Sequence, residues 1–500
     1  MIAISSDNKK EFDSDVIVVG AGPAGSAAAY YFASAGYDVI LVDKQKFPRD
    51  KICGDFVSPV AQNELSNLGI TNLPDFKNSN AISNASVYLD GNKLISRTVP
   101  KAQGLPRFGR VIPRKILDKL ILDSAIKEGA IFLEGLKAVS IQTKRKGIEL
   151  TVEGSSGKRV LKSRLLIGAD GSNSTIAKLV RGYPPSSADR IIAIRGYFED
   201  VEGPTNQADL HFNKESFPGY CWLFPTGKNQ ANVGVGVVLD TIPTGNRLKE
   251  LLTHLIENDP ALSKRLSHSK LVGQIGGWPL TTYNPKQPLV DNKVMLVGDA
   301  AGLVNPLNGE GIQYALLSGR RASEVAISCL IANDFSNDAL SVYPHIIEKE
   351  LGYGMSVAGL IVQLIRNRSF NPFWLRSLEL MAARSRVDNS YADIVGGILM
   401  GTVPQNMANN LEVVRGTIEQ ATLSEGLTNL LETIQDPLAI AKATIEAIQT
   451  GFGITSQVTQ NPVAFFNWAI NSTTAAINLA NAASSHHSES DQEEAPQATD

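Results

Sequence analysis

DVIVVGAGPAGSAAAYYFASAGYDVILVDK, residues 15–44, carries the strongest structural signal in this chain. Val16–Val19 is a short apolar run of the buried-strand kind. Gly20 allows a tight turn, Gly22 lets the backbone approach a pyrophosphate, and Gly25 lets the next helix pack on the strand. Pro23 starts that helix, where its missing N–H costs nothing. The helix end offers free N–H groups and a positive dipole to phosphates. A second strand over residues 38–42 ends at Asp43, eighteen positions after Gly25, which puts a carboxylate where a ribose diol sits. An acid there favours an unphosphorylated adenosine ribose, so FAD or NAD over NADP. A glycine turn in an unrelated α/β domain would not need strand, helix, strand and acid together.

VMLVGDAAGLVNPLNGEGIQYALLSGRRASE, residues 294–324, repeats the pattern. Residues 294–297 read as a strand that Gly298 and Asp299 end. Asp299 is placed to accept from a ribityl chain. Gly309, Gly311 and Ile312 open a helix whose positive end can face the N1–C2=O edge of an isoalloxazine, where it would stabilise the reduced, anionic form. The two signatures in this order point to one FAD held from both ends.

The 500 residues suggest two or three domains with ample core. A net charge of −3 implies no nucleic-acid partner. Cys53, Cys221 and Cys329 form neither a disulfide framework nor a metal motif, so a cytoplasmic setting is the default. No apolar run is long enough to span a bilayer. Between Glu446 and Glu489 there is no Asp, Glu, Lys or Arg. Asn461-Pro462 starts a helix there, with Val463, Phe466, Ile470, Ile477 and Ala480 at helical spacing and Phe465, Trp468 and Leu479 widening the stripe. Residues 461–483 either rest on an inner or thylakoid-type membrane as a peripheral contact or pack on the protein body.

These signals assemble into an α/β chain: a Rossmann-type FAD-binding domain, an inserted antiparallel β-sheet substrate domain and a helical C-terminal extension. The FAD-binding domain takes residues 12–80, 101–180 and 288–343, with a helix over 110–129 and a strand and glycine turn over 165–173. The sheet domain takes 81–100, a hairpin turned at Asp90-Gly91, and the β-rich 181–287. Residues 344–483 read as helical and 484–500 as a disordered acidic tail.

The chain resembles the geranylgeranyl reductase family of p-hydroxybenzoate-hydroxylase-type flavoproteins. VGAGPAGSAAA (19–29), FPRDKICGDFVSP (47–59), VIPRKILDKLILDSAIKEGA (111–130), FPGYCWLFPTGKNQANVGVGV (217–237) and the GDAAGLVNPLNGEGI region carry the match. The KICGD and GLVNPLNGEGI segments are similar to the bacterial branch containing menaquinone reductases. The resemblance covers about residues 12–405. It implies that Ala24 and Asp43 contact the ADP half, that Cys53, Gly54 and Asp55 lie close to the flavin, and that Arg114 reaches the pyrophosphate or ribityl region. It also implies Ala138 near the adenine and Asp299, Gly311 and Ile312 on the ribityl and ring. Arg114 could instead be a solvated charge on its helix. The same branch usually has glycine where this chain has Phe56, and a ring there would reshape or shorten the pocket.

The implied activity is reduction of isolated double bonds in an isoprenoid chain. An unactivated alkene needs a hydride and a proton almost together, hence a dry apolar slot with one proton donor. Cys53 is a candidate donor or alkene-positioning group; the alternative is a small buried hydrophobe. Tyr220 and Trp222 alternate with Cys221 and Leu223, so they share a face and either line the pocket or form an aromatic core pair. His211 and Trp278 read as structural. The electron donor is either NAD(P)H or a ferredoxin-like carrier. Two other functions remain compatible with the sequence: a flavin-dependent monooxygenase, hydroxylase or halogenase-like, on the same scaffold, or a non-catalytic flavoprotein that binds prenyl lipid or a partner.

Overall fold

The computed structural model describes residues 11–242, 248–400, 467–479 and 481–482. Its strands begin with β1 (Val16–Val19), β2 (Val39–Asp43), β3 (Phe56–Val57), β4 (Asn80–Ile82), β5 (Asn84–Leu89), β6 (Asn92–Thr98) and β7 (Gly109–Val111). β8 (Ile131–Glu134), β9 (Lys137–Thr143), β10 (Ile148–Gly154), β11 (Gly157–Ser163) and β12 (Leu165–Gly168) follow. Then come β13 (Arg190–Glu199), β14 (Gln207–Phe212), β15 (Tyr220–Gly227), β16 (Gln230–Val238), β17 (Lys270–Thr281), β18 (Val290–Asp291) and β19 (Val294–Leu296).

The glycine-signature strands sit near the middle of a six-stranded sheet of order β18-β19-β12-β1-β2-β8, parallel except for β18. Val16, Ile17, Val18 and Leu41 are fully buried because helices cover the sheet, as unbroken apolar strands require. Helix Pro23–Ser34 meets helix Ile312–Ala332 so closely that a Cβ on Gly319 would lie 2.4 Å from the Ala24 carbonyl oxygen. This contact brings the two glycine signatures together.

The second large sheet has order β17-β13-β16-β15-β14-β5-β6. The hairpin β5–β6 turns at Asp90 and Gly91, both with positive φ, as a two-residue turn requires. The sheet is mixed rather than wholly antiparallel: β5 pairs β14 in parallel, Asn84 opposite Gln207. The two strands are joined by a long excursion through the other sheet, which permits a parallel pairing that a tight hairpin cannot make.

One face of this sheet carries Cys221, Leu223, Val233, Val235 and Val237. It is closed by Leu252 and Leu255 of helix Leu248–Asn258 and Leu262 of helix Pro260–Arg265. These two helices interrupt the β-rich reading of 181–287, because an apolar sheet face left open to water must be covered. A further departure lies in 110–129. Arg110 and Val111 belong to β7, and the helix begins at Arg114 after Pro113. Pro113 biases Ile112 to extended backbone, which ends the strand and sets the helix start.

Beyond residue 344 the described backbone is mainly helical through Met400. In the helix over 467–479, Trp468, Ala476 and Leu479 are buried, the last two against Tyr353, Val357 and Leu360. The Trp468 ring also lies 5.4 Å from Phe370, and its Nε1 donates to the Gln363 carbonyl at 3.0 Å. Ile470 and Ile477 of the expected stripe face outward. The docked face is set by Trp468, whose large ring and N–H both find partners. Asn461-Pro462, Val463, Phe465, Phe466, Ala480 and the acidic tail lie outside the described residues.

Candidate active site

The dinucleotide turn has the geometry its glycines suggest. Gly20 has φ +107°, and a Cβ on Gly25 would lie 1.8 Å from the Gly20 carbonyl oxygen, so neither position admits a side chain. Gly22 is different. It caps helix Pro23–Ser34 with ordinary extended backbone, no side chain caps the helix, and a Cβ would meet only Arg49 Nη2, at 3.7 Å. The space in front of Gly22 is therefore open and faces a guanidinium. Asp43 ends β2, its Oδ2 accepting from Ala21 N–H at 2.8 Å and its Oδ1 from Gln45 N–H. Ala24 is buried between the two signature helices, and a Cβ on Gly298 would lie 2.9 Å from its methyl. Ala138 is buried on β9 opposite Val152.

At the other end, Asp299 accepts from the Ser172 hydroxyl at 2.8 Å. Helix Ile312–Ala332 starts after Gly309, Glu310 and Gly311, again without a side-chain cap. Two uncapped helix N-termini, an acid at the end of β2 and a cation before Gly22 suit a pyrophosphate-linked dinucleotide carrying a flavin. The donor set thus fits FAD.

The Cys53 loop lies between this half and the second sheet, and the sheet holds it in place. Asn232 of β16, fully buried, donates to the Cys53 carbonyl oxygen at 2.7 Å and to Asp55 Oδ2 at 2.8 Å. Its own Oδ1 accepts from Trp222 Nε1 at 2.9 Å. Tyr197, cross-strand from Asn232, donates to the same Asp55 oxygen at 2.5 Å. Arg195, two residues earlier, pairs with Asp50 at 2.7 Å. Asp55 has φ +64° and is wholly buried, its Oδ1 without a partner. Burial pushes its carboxyl up to about 6, against the pull of Tyr197 and Asn232.

Cys53 itself is half-buried. Burial pushes its thiol up, while Arg114 and the Asp55 N–H favour the thiolate. Arg114 is not a solvated charge. It is buried and makes a bidentate pair with Asp118 at 2.6 and 2.9 Å, which Arg49 joins at 2.9 Å. Burial works against its charge, yet Asp118 holds the guanidinium above its ordinary range. Lys51 stacks over Trp278 at 4.6 Å and burial pushes it down to about 8. Gly54 packs under the aromatic strand, its missing Cβ 3.2 Å from Phe224.

β15 presents Tyr220, Trp222 and Phe224 on the face toward this loop. Neighbouring ring centroids are 6.3 and 6.2 Å apart. The alternating glycines of β16 form the floor: a Cβ on Gly234 would sit 2.3 Å from the Trp222 ring. The Tyr220 hydroxyl crosses to the other half and donates to the Asn308 carbonyl at 2.6 Å. Phe56 meets this aromatic row at Phe224, at 5.6 Å, and packs with Ile82, Val99 and Val111 against Gly109. Cys221 faces the opposite, helix-covered side. His211 is fully buried and stacked on Tyr88 at 4.5 Å, a packing role.

The sequence reading omitted Arg49, Asp118, Tyr197, Arg195, Phe224 and Asn232. Asn232 had one visible signal, an amide directly before the alternating valines and glycines of residues 233–238. Phe224 continues the alternation of Tyr220 and Trp222, and Asp118 stands four residues after Arg114 on one helix; Arg49, Arg195 and Tyr197 are marked only by where the fold places them. Among the described residues no group of three or more metal-ligating side chains occurs, and no helix is long and apolar enough to cross a membrane.

A Rossmann-type sheet whose two glycine-capped helices converge on a loop held under an aromatic strand defines an FAD-dependent oxidoreductase. Residues 13–317 match the family model described as FAD binding domain. The menaquinone reductase of Mycolicibacterium smegmatis is 33% identical over 387 residues, 75% of this chain and 90% of its own. Digeranylgeranylglycerophospholipid reductase 2 of Methanopyrus kandleri is 32% identical over 346 residues, 68% of this chain and 83% of its own. A geranylgeranyl bacteriochlorophyll reductase-like structure from Thermoplasma acidophilum shares the fold, with TM-score 0.64 and 24% identity over 84% of this chain and 98% of that one. The chain belongs to the FAD-binding family and, within it, to the geranylgeranyl reductases, and its cofactor is FAD.

Proposed function

We propose that this enzyme saturates isolated double bonds in the prenyl chain of an isoprenoid lipid, a polyprenyl quinone or a geranylgeranyl lipid. The observation that carries the reading is the row Tyr220, Trp222 and Phe224. It is joined to the FAD half by the Tyr220–Asn308 hydrogen bond and faces the Cys53 loop. An apolar aromatic wall beside a cofactor suits a hydrocarbon chain, whose enclosure stabilises the complex by about 0.8 kcal/mol per CH₂-sized group. The named activities of the two reductases above support the same class. Bound FAD, once reduced, supplies the hydride. The chain's own residues bind and orient the alkene, exclude water and hold the proton.

Asp43 and the Gly22 turn serve the ADP half, Arg49 the pyrophosphate, and Asp299 with the Gly311 helix end the ribityl and ring. Cys53, Tyr220 and Trp222 line the substrate side. The discontinuous FAD domain and inserted sheet domain read from the sequence are the division this assignment uses. Either NAD(P)H or a ferredoxin-like carrier delivers electrons, and the outward Ile470 and Ile477 give the C-terminal helix a side suited to a lipid surface.

The test is anaerobic. The FAD-loaded protein is reduced with dithionite and mixed with geranylgeranyl diphosphate or a menaquinone, and flavin absorbance and lipid mass are followed. Reoxidation with a gain of two hydrogens per saturated bond is expected. Flavin that stays reduced until oxygen is admitted, with an oxygenated product, would replace this reading with the monooxygenase one.

A further inference from the structure

Glu310, half-buried, is held by fewer side-chain and backbone donors than the other acids near the cofactor half. Asp43 is held by two backbone N–H groups and Asp118 by two arginines. Asp299 is held by Ser172, and Asp55 by Tyr197 and Asn232 at Oδ2, with its Oδ1 bare. Glu310 Oε1 is sealed from solvent with no hydrogen-bond partner, although part of the residue remains open. Its backbone is fixed on both sides: its N–H donates to Asn308 Oδ1 at 2.9 Å, and its carbonyl accepts from Asn305 N–H at 2.9 Å. The groups facing its carboxyl are the Tyr220 phenol from β15, the Tyr314 phenol from the helix Ile312–Ala332 that follows it, and the hydroxyl of Ser58 after β3, which also donates to Gln313 Oε1 at 2.9 Å. None is a cation. Burial pushes the carboxyl up to about 7, against the pull of Ser58. Both phenols are held well above their ordinary range by burial and by Glu310 itself.

We propose that Glu310 is the general acid of the site, the group whose proton is added to the prenyl double bond. This rests on the prenyl-reductase reading. Saturating one C=C needs a hydride, which comes from reduced FAD, and a proton. The hydride's electron pair forms the C–H bond at one alkene carbon. The π pair forms the second C–H bond with the proton from the Glu310 carboxyl, whose O–H bond breaks and leaves a carboxylate. Water restores the proton before the next cycle.

Position supports this assignment. Glu310 lies between Gly309 and Gly311, just before the uncapped start of helix Ile312–Ala332, and beside Tyr220 of the aromatic wall. It is also a better matched acid than its rivals. Burial holds the Cys53 thiol above its ordinary range, further from the working pH than the Glu310 carboxyl. The Tyr220 proton is engaged by the Asn308 carbonyl. An acid poised near the working pH donates most effectively.

The test has two arms. In the first, infrared spectroscopy of the apoprotein titrated from pH 6 to 8 should show the carbonyl stretch of protonated carboxyl fading as pH rises, and Glu310→Gln should lose the component titrating at about 7 while that of Asp55, at about 6, remains. In the second, substrate-driven reoxidation of the reduced holoenzyme should slow by about 10²-fold or more in Glu310→Gln, with FAD retention unchanged. Wild-type rate should fall as pH climbs through the carboxyl's range, Glu310→Gln should lose that dependence, and Glu310→Asp should recover part of the rate. A Glu310→Gln rate within threefold of wild type, or no carboxyl band lost in that variant, overturns the proposal. If wild type itself reduces no prenyl lipid, the parent reading fails, while the infrared arm still decides whether Glu310 carries a proton.

Discussion

Gly22→Val separates folding from cofactor binding more cleanly than any other change to the dinucleotide turn. Gly22 has φ −75° and ψ −176°, which valine adopts freely, and its Cβ would meet nothing closer than Arg49 Nη2 at 3.7 Å. The apoprotein should lose no more than about 0.5 kcal/mol, as for an open surface position. With the pyrophosphate placed on this turn as proposed, FAD and a valine side chain would compete for that space. A phosphate oxygen accepting from this turn must come within about 2.9 Å of a backbone nitrogen, where the valine methyls would stand. Losing two hydrogen bonds to a charged group, at about 1.5–3 kcal/mol each, removes about 3–6 kcal/mol. That is roughly a 10²–10⁴-fold rise in Kd. The assay pairs flavin fluorescence titration with thermal melts. FAD at 100 times its wild-type Kd should stabilise wild type by about 2.7 kcal/mol and Gly22→Val scarcely at all, from equal apoprotein starting points. Gly25→Ala is the contrast: with a carbonyl oxygen 1.8 Å from its Cβ, it should fail to fold with or without FAD. A yellow Gly22→Val protein with unchanged Kd would refute the placement of the pyrophosphate.

Phe56→Gly should destabilise the protein by about 3 kcal/mol in urea melts, because the ring fills the cluster around Ile82 and Val111. It should leave prenyl-length preference nearly unchanged, because it meets the aromatic wall only at Phe224; broadened preference at full stability would show that the ring faces the slot. Asp55→Asn should flatten the pH dependence of stability. The folded carboxyl is raised from 3.8 to about 6, so its contribution is complete below about pH 4 and is lost as pH rises through about 6. Two pKa units correspond to about 3 kcal/mol at most. Urea melts of FAD-saturated wild type and variant between pH 4 and 7 should diverge by up to that amount, and parallel curves would count against a buried, raised carboxyl.

The sequence by itself determined the cofactor half. Gly20, Gly22, Gly25, Asp43 and the Gly311 helix start are local features, set by turn geometry and helix ends within a few residues, and each is legible one segment at a time. The shared face of Tyr220 and Trp222 was legible too, because strand periodicity is local. What lay beyond reach depends on pairing between distant strands. Tyr197 and Asn232 meet Asp55 only because β13 and β16 pair in one register and lay that face over the Cys53 loop. Arg114 read as a cofactor contact with a solvated charge as the alternative, and Asp118 with Arg49 removes that alternative by supplying a buried partner for the charge. Glu310 stood in plain view within NGEG, but its meaning comes from what surrounds it. A buried carboxyl with no cation beside it and one oxygen without a partner is pushed toward keeping its proton, and only the tertiary structure determines which neighbours a side chain has.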